Sequence, residues 1–193
     1  MQMFGIAKTP NPRPTRYATS ADFWRIFQKD MNRLYLLSLL LTGNQAAAEK
    51  CFVQGLSDSK HSNPVFKEWA ESWARRMIVQ NAIQMTRPRP TDFMSSENVA
   101  DRDVIQPAEI VAILELPAFD RFAFVLSVLE GYSLQESAIL LECRRDEVNT
   151  ARMRAVQEIV QSVERHGATK SVHPGKLRET SGLDGLSQLA ASA

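Results

Sequence analysis

Six side chains between Arg144 and Arg154 have the types that read duplex DNA: Arg144, Arg145, Asn149, Thr150, Arg152 and Arg154. Arginine and asparagine suit paired hydrogen bonds with guanine and adenine edges, and the others suit phosphates. A second group combines cations with indole rings: Lys67, Trp69, Trp73, Arg75 and Arg76. The two tryptophans lie one helical turn apart. Aromatic rings flanked by arginines can stack unpaired bases while the cations hold the backbone. The same spacing also suits core anchors, since indole rings at helical spacing usually bury against neighbouring helices.

The two groups differ in charge. Between Lys60 and Pro90, six cations (Lys60, Lys67, Arg75, Arg76, Arg87, Arg89) face two anions (Glu68, Glu71), a local balance of +4. From Arg121 to Arg165, six arginines face seven carboxylates, a balance of −1, so this module alone holds DNA weakly. Over the whole chain the charge is +1, and no global field draws it to a polyanion or a membrane. Catalytic patterns are missing: there is no GxxxxGK[ST] loop, HExxH, GxSxG or GxGxxG. His61, His166 and His173 fall in predicted loops or tail without ligand spacing and read as surface histidines. Cys51 and Cys143 fall on or near apolar faces, far apart and outside any CxxC spacing, and read as inert thiols in a reducing compartment. The expectation is a protein that is not an enzyme and uses no metal or cofactor.

Positioning these side chains falls to helices. At 193 residues, with 44% hydrophobic and 23% charged, the chain can bury a core in one medium domain or two small ones. Residues 1–20 hold Pro10, Pro12 and Pro14 with Lys8, Arg13, Arg16 and no acid, the pattern of an extended basic tail. Apolar positions from Asp22 to Leu41 predict one helix, stopped by Gly43. Asn44 caps the next, which carries Ala48, Cys51 and Phe52. Asn63-Pro64 predicts a third helix from Pro64 to about Met85, ended by Arg87-Pro88-Arg89-Pro90. Residues 87–106 are polar and aperiodic, and form the predicted linker. Beyond it come a short helix, Pro107 to Glu115, and another opened by Pro117 and closed by Gly131. The capping box Ser133-Leu-Gln-Glu136 then starts a helix ending at Leu141. After a break at Glu142 to Arg145, Val148, Ala151, Ala155, Ile159 and Val163 line a longer helix. The tail from His166 onward includes Leu183, Leu186 and Leu189 at helical spacing. No segment alternates with period two, so the fold class is all-α: two small helical domains (21–86 and 107–165) joined by a linker, the second a helix-turn-helix. The most apolar run, Leu34 to Leu41, is far shorter than the ~20 residues that span a bilayer. The first residues lack a secretory signal, and the reading is cytoplasmic.

The stretch Leu116 to Ala155, LPAFDRFAFVLSVLEGYSLQESAILLECRRDEVNTARMRA, resembles the promoter-reading domain (region 4) of bacterial RNA polymerase sigma factors, in the sigma-70 family's small, extracytoplasmic-function-like form. The segment from about Asp22 to Pro90 is similar to the family's core-binding domain (region 2) through LYLLSLLLTGN, AAAEK and WARRMIVQNAIQM. The resemblance implies a transcription initiation factor that binds core RNA polymerase and promoter DNA. Its first half would dock on polymerase through Glu49, Lys50, Val53 and Gln54, where the family usually shows Ala-Glu-Asp and then Gln-Glu, and would stabilise melted promoter bases. An anti-sigma protein is a further partner type in such a family. Glu142 stands at the turn position usually held by glycine, and Arg152 where an apolar residue is common. The alternatives are a degenerate sigma-like module that binds protein only, or a stand-alone helix-turn-helix regulator.

Overall fold

Apolar residues recurring at three and four give helices throughout the computed structural model, which describes residues 16–91 and 107–171, with side chains as far as Arg165. The expectations for residues 1–15, the stretch 92–106 and the tail 172–193, with Leu183, Leu186 and Leu189, lie outside the described residues. The described chain is all-α, with no strand and a single isolated antiparallel bridge, Tyr17 to Phe66. No helix among the described residues is long and apolar enough to cross a membrane.

The expected helix from Asp22 to Leu41 is two helices, α1 (Ser20–Lys29) and α2 (Met31–Thr42). They break at Asp30, whose φ of −105° and ψ of 23° leave the helical region. Aspartate favours caps over helix interiors. The break separates a segment with one apolar face (Phe23, Phe27) from one buried nearly all round (Leu34, Leu37, Ser38, Leu41). A capping box starts α1: the Asp22 amide donates to Thr19 Oγ1, and the Thr19 amide donates to Asp22 Oδ2 at 2.9 Å. Those hydrogen bonds hold the Asp22 carboxyl below its ordinary pKa.

Gly43 ends α2 in the left-handed conformation, φ 82°, and Asn44 Oδ1 accepts from the Ala47 amide at 2.7 Å to start α3 (Gln45–His61). The helix expected from Pro64 starts later. Residues around Val65 pair with the segment before α1 instead, where the Ala18 amide donates to Val65 O at 2.7 Å and the Lys67 amide to Arg16 O. A 3-10 turn, Lys67–Trp69, leads into α4 (Ala70–Thr86), which Arg87 ends with φ 48°.

Past the linker come α5 (Ala108–Leu114) and α6 (Ala118–Phe124), the latter widening into a π-helical turn over Val125–Leu129. Next are α7 (Leu134–Leu140) and α8 (Arg145–Ser171), which runs further than the apolar pattern predicts. One cluster of buried side chains joins the two halves: Phe27, Leu41 and Ile78 from the first with Phe119, Phe122 and Leu126 from the second. At the seam the buried Arg121 guanidinium donates from Nη1 to Leu114 O and Leu116 O at 3.2 and 3.0 Å. It also lies against Gly43, where a Cβ would come within 2.6 Å of Nη2. Burial pushes Arg121 down to about 10, so it stays cationic at neutral pH. The carbonyl end of α2 beside it offers a compensating negative dipole.

Candidate nucleic-acid interface

The start of α7 follows the sequence reading. The Glu136 amide donates to Ser133 Oγ at 3.1 Å, while the Ser133 amide donates back to Glu136 Oε2 at 2.8 Å. These bonds depress the Glu136 pKa. Between α7 and α8, Glu142 takes φ 52°, a left-handed conformation that costs a side-chain-bearing residue about 1 kcal/mol. Glu147 then reaches back so that the Arg144 amide donates to its Oε2 at 2.7 Å, serving an orphan N–H at the start of α8. The carboxylate nearest the Arg144 guanidinium is thus a helix cap.

Val148, Ala151 and Ala155 bury one face of α8 against the core. The opposite face of its first turns carries the predicted readers. Arg144 is 75% exposed, with loose ion pairs to Asp146 at 3.9 Å and Glu147 at 3.6 Å. Exposed pairs of this kind contribute little and exchange readily for phosphate. Arg145 is exposed and makes no ion pair or hydrogen bond among the described residues, and Asn149 and Thr150 are exposed beside it. The half-buried Arg152 donates from Nη2 to Asn149 Oδ1 at 3.0 Å, which steadies that amide while leaving its N–H groups outward.

Arg154 is placed differently. Its Nε and Nη2 donate to the two oxygens of Asp120 at 3.0 and 2.7 Å. The Asp120 side chain is 4% exposed, and these bonds raise the Arg154 pKa. The guanidinium therefore closes the α6–α8 seam, a role that spacing within one helix does not reveal. Ser162 adds a second tie along α8, donating to Glu115 Oε2 at 2.9 Å.

The aromatic group of the first half is also rearranged. Trp73 is half-buried against Phe23, Val65 and Ala70, and its Nε1 donates to Ser62 Oγ at 3.1 Å. Trp69 is 59% exposed. Its ring stands edge-on to Phe66 at 5.4 Å, and Phe66 stacks on Tyr17 at 4.9 Å. Arg16 lies over the same Phe66 ring, 5.7 Å from its centre, and the exposed Lys67 pairs with Asp22 at 3.7 Å. The exposed aromatic surface is thus Tyr17 and Trp69 on either side of the half-buried Phe66, with Arg16 and Lys67. Sequence reading missed Tyr17 and Phe66, and the signal that could have found them is the β-prone Val65-Phe66 pair just after Pro64.

Arg75 and Arg76 point toward the second half. Arg75 lines a cleft of about 270 Å³ with Glu130, Tyr132 and Glu136. Both arginines oppose the burial that raises the Tyr132 pKa, and Arg76 helps to lower that of Glu136. Glu49, Lys50, Val53 and Gln54 are together on the exposed side of α3, where Gln54 Nε2 donates to Asp58 Oδ1 at 2.8 Å. Among the described residues, no group of three or more His, Cys, Asp or Glu side chains is arranged to hold a metal ion. Comparison with protein-family profiles, curated proteins and solved structures finds no match to this chain.

Proposed function

We propose that the chain is a sigma-like transcription initiation factor that joins core RNA polymerase to promoter DNA. One observation carries this reading: Arg144, Arg145, Asn149 and Thr150 are exposed together at the start of a long helix, one tight turn after a short capped helix. In this reading α7 and α8 form the helix-turn-helix, and α8 enters the major groove by its first turns. Arg154 belongs to the fold rather than to the DNA contact. The exposed Tyr17 and Trp69 rings, held by the half-buried Phe66 between them, with Arg16 and Lys67, supply a stacking surface for unpaired bases. The exposed side of α3 at Glu49, Lys50, Val53 and Gln54 meets polymerase. Because the second half holds DNA weakly by charge, tethering both halves to one polymerase raises the effective concentration of each at its site.

The experiment is binding of the chain, with core polymerase, to fragmented genomic DNA. Recovered fragments are then titrated with Arg144→Ala and Arg145→Ala. Each substitution is expected to weaken binding about tenfold, as for loss of one good base contact. Unchanged affinity in both at low salt would remove α8 from the groove.

A further inference from the structure

Arg145, Asn149 and Arg152 stand at intervals of four and three on α8 and form one row over its first two turns. Arg145 and Asn149 are exposed, and Arg152 is half-buried beside them. The row is about 10 Å long, the rise of about three base pairs. Asparagine in such a row ordinarily suits adenine, because its amide offers an acceptor to the adenine amino group and a donor to N7. Here the acceptor is engaged. Arg152 Nη2 donates to Asn149 Oδ1 at 3.0 Å. Arginine carries donors only, so the atom it meets is the amide oxygen, and the Nδ2 donors are left to face outward. Among the described residues Arg152 forms no ion pair, and no carboxylate draws its guanidinium away from Asn149.

The consequence is a change in which base edge fits. Oδ1 keeps a second lone pair, but an adenine amino group reaching it would stand against the Arg152 guanidinium, donor against donor. Guanine meets no such conflict. Its O6 and N7 both accept, and N–H groups from Asn149 and Arg152 side by side match them as the fork of a single arginine does. Thymine offers O4 alone and cytosine offers an amino donor, so neither satisfies both groups. Resting on the reading of α8 as the groove helix, we infer that Arg152 determines specificity: by taking the Asn149 acceptor it makes the pair a two-donor reader of guanine, where Asn149 by itself would favour adenine. Arg145, one turn earlier and without a partner among the described residues, has the same donor-only character and suits the guanine of a neighbouring pair.

The test is selection of duplexes from a random-sequence pool by the full-length chain bound to core polymerase, run in parallel for Asn149→Ala, Arg152→Leu and Arg152→Lys. The unsubstituted chain is expected to enrich guanine at one position, and Asn149→Ala to lose that preference. Arg152→Leu frees Oδ1 and should move the guanine-to-adenine ratio at that position about tenfold toward adenine, the scale of one base contact. Arg152→Lys still donates and should keep guanine, an outcome that a merely structural role for Arg152 would not require. Helical content by circular dichroism checks that each variant folds. Adenine at the Asn149-dependent position in the unsubstituted chain, no position that depends on Asn149, or a preference that Arg152→Leu leaves unmoved overturns the inference and leaves α8 in the groove. Enrichment of no sequence by the unsubstituted chain overturns the groove reading, and the inference with it.

Discussion

Arg154→Met removes a guanidinium from a carboxylate that has almost no other access to water. Asp120 is 4% exposed at its side chain and holds Arg154 by two bonds of 2.7 and 3.0 Å. Stranding one member of a fully buried ion pair costs about 3–5 kcal/mol. Arg154 is itself 36% exposed, so water enters part of the space it leaves, and the expected cost falls to about 3 kcal/mol. For a chain of this size each kcal/mol lowers Tm by about 2–4 °C, giving a drop of about 6–12 °C. Urea denaturation measures the same quantity without heating. The double variant Asp120→Leu/Arg154→Met should recover about 1–3 kcal/mol relative to the sum of the single changes, because it removes both charges together. A loss below about 0.5 kcal/mol in Arg154→Met, or strict additivity in the double variant, would refute the seam assignment and return Arg154 to the DNA-facing set.

Four further outcomes are expected. Glu142→Gly relieves a left-handed strain and should raise stability by about 1 kcal/mol, read as a higher urea midpoint. Gly43→Ala should lower stability by about 2–3 kcal/mol, since it adds a strained φ and drives a Cβ into the buried Arg121 guanidinium, and the companion change Arg121→Met should recover part of the loss. Burial pushes the Cys51 thiol up from 9.0 to about 11, so the stability held by its protonated form is intact below pH 9 and is lost as pH rises toward 11. Stability across that window should fall more steeply than in Cys51→Ala. In the native chain at pH 8, alkylation detected by mass spectrometry should reach the partly exposed Cys143 well before the buried Cys51.

Helix ends were the most legible part of the sequence because they depend on local chemistry. Ser133 with Glu136, Gly43 with Asn44, and Arg87 before Pro88 each act over three or four residues, and the expected stops and starts appear there. Glu142 was marked as a turn position by the family resemblance, which usually has glycine there, and its φ is 52°. Contacts between distant segments were not legible. Asp120 and Arg154 are 34 residues apart, and nothing in either neighbourhood marks the pair. Periodicity shows that Leu41, Phe122 and Leu126 are buried but not that they share one core across the linker. The late start of α4 has a similar cause: Pro64 suits the first turn of a helix, but pairing of residues 16–18 with 65–67 takes the backbone hydrogen bonds instead. That pairing also determines which rings stay outside, leaving Trp69 exposed while Trp73 fills the space beside Phe23.

The central claim is that this chain directs polymerase to promoters. Its most direct test is run-off transcription by purified core polymerase on a pool of genomic fragments, with and without the full-length chain. Discrete new transcripts that require the chain, and that weaken with Arg144→Ala and Arg145→Ala, are the expected result. A transcript pattern identical with and without the chain, from polymerase shown to initiate with another factor, would contradict it.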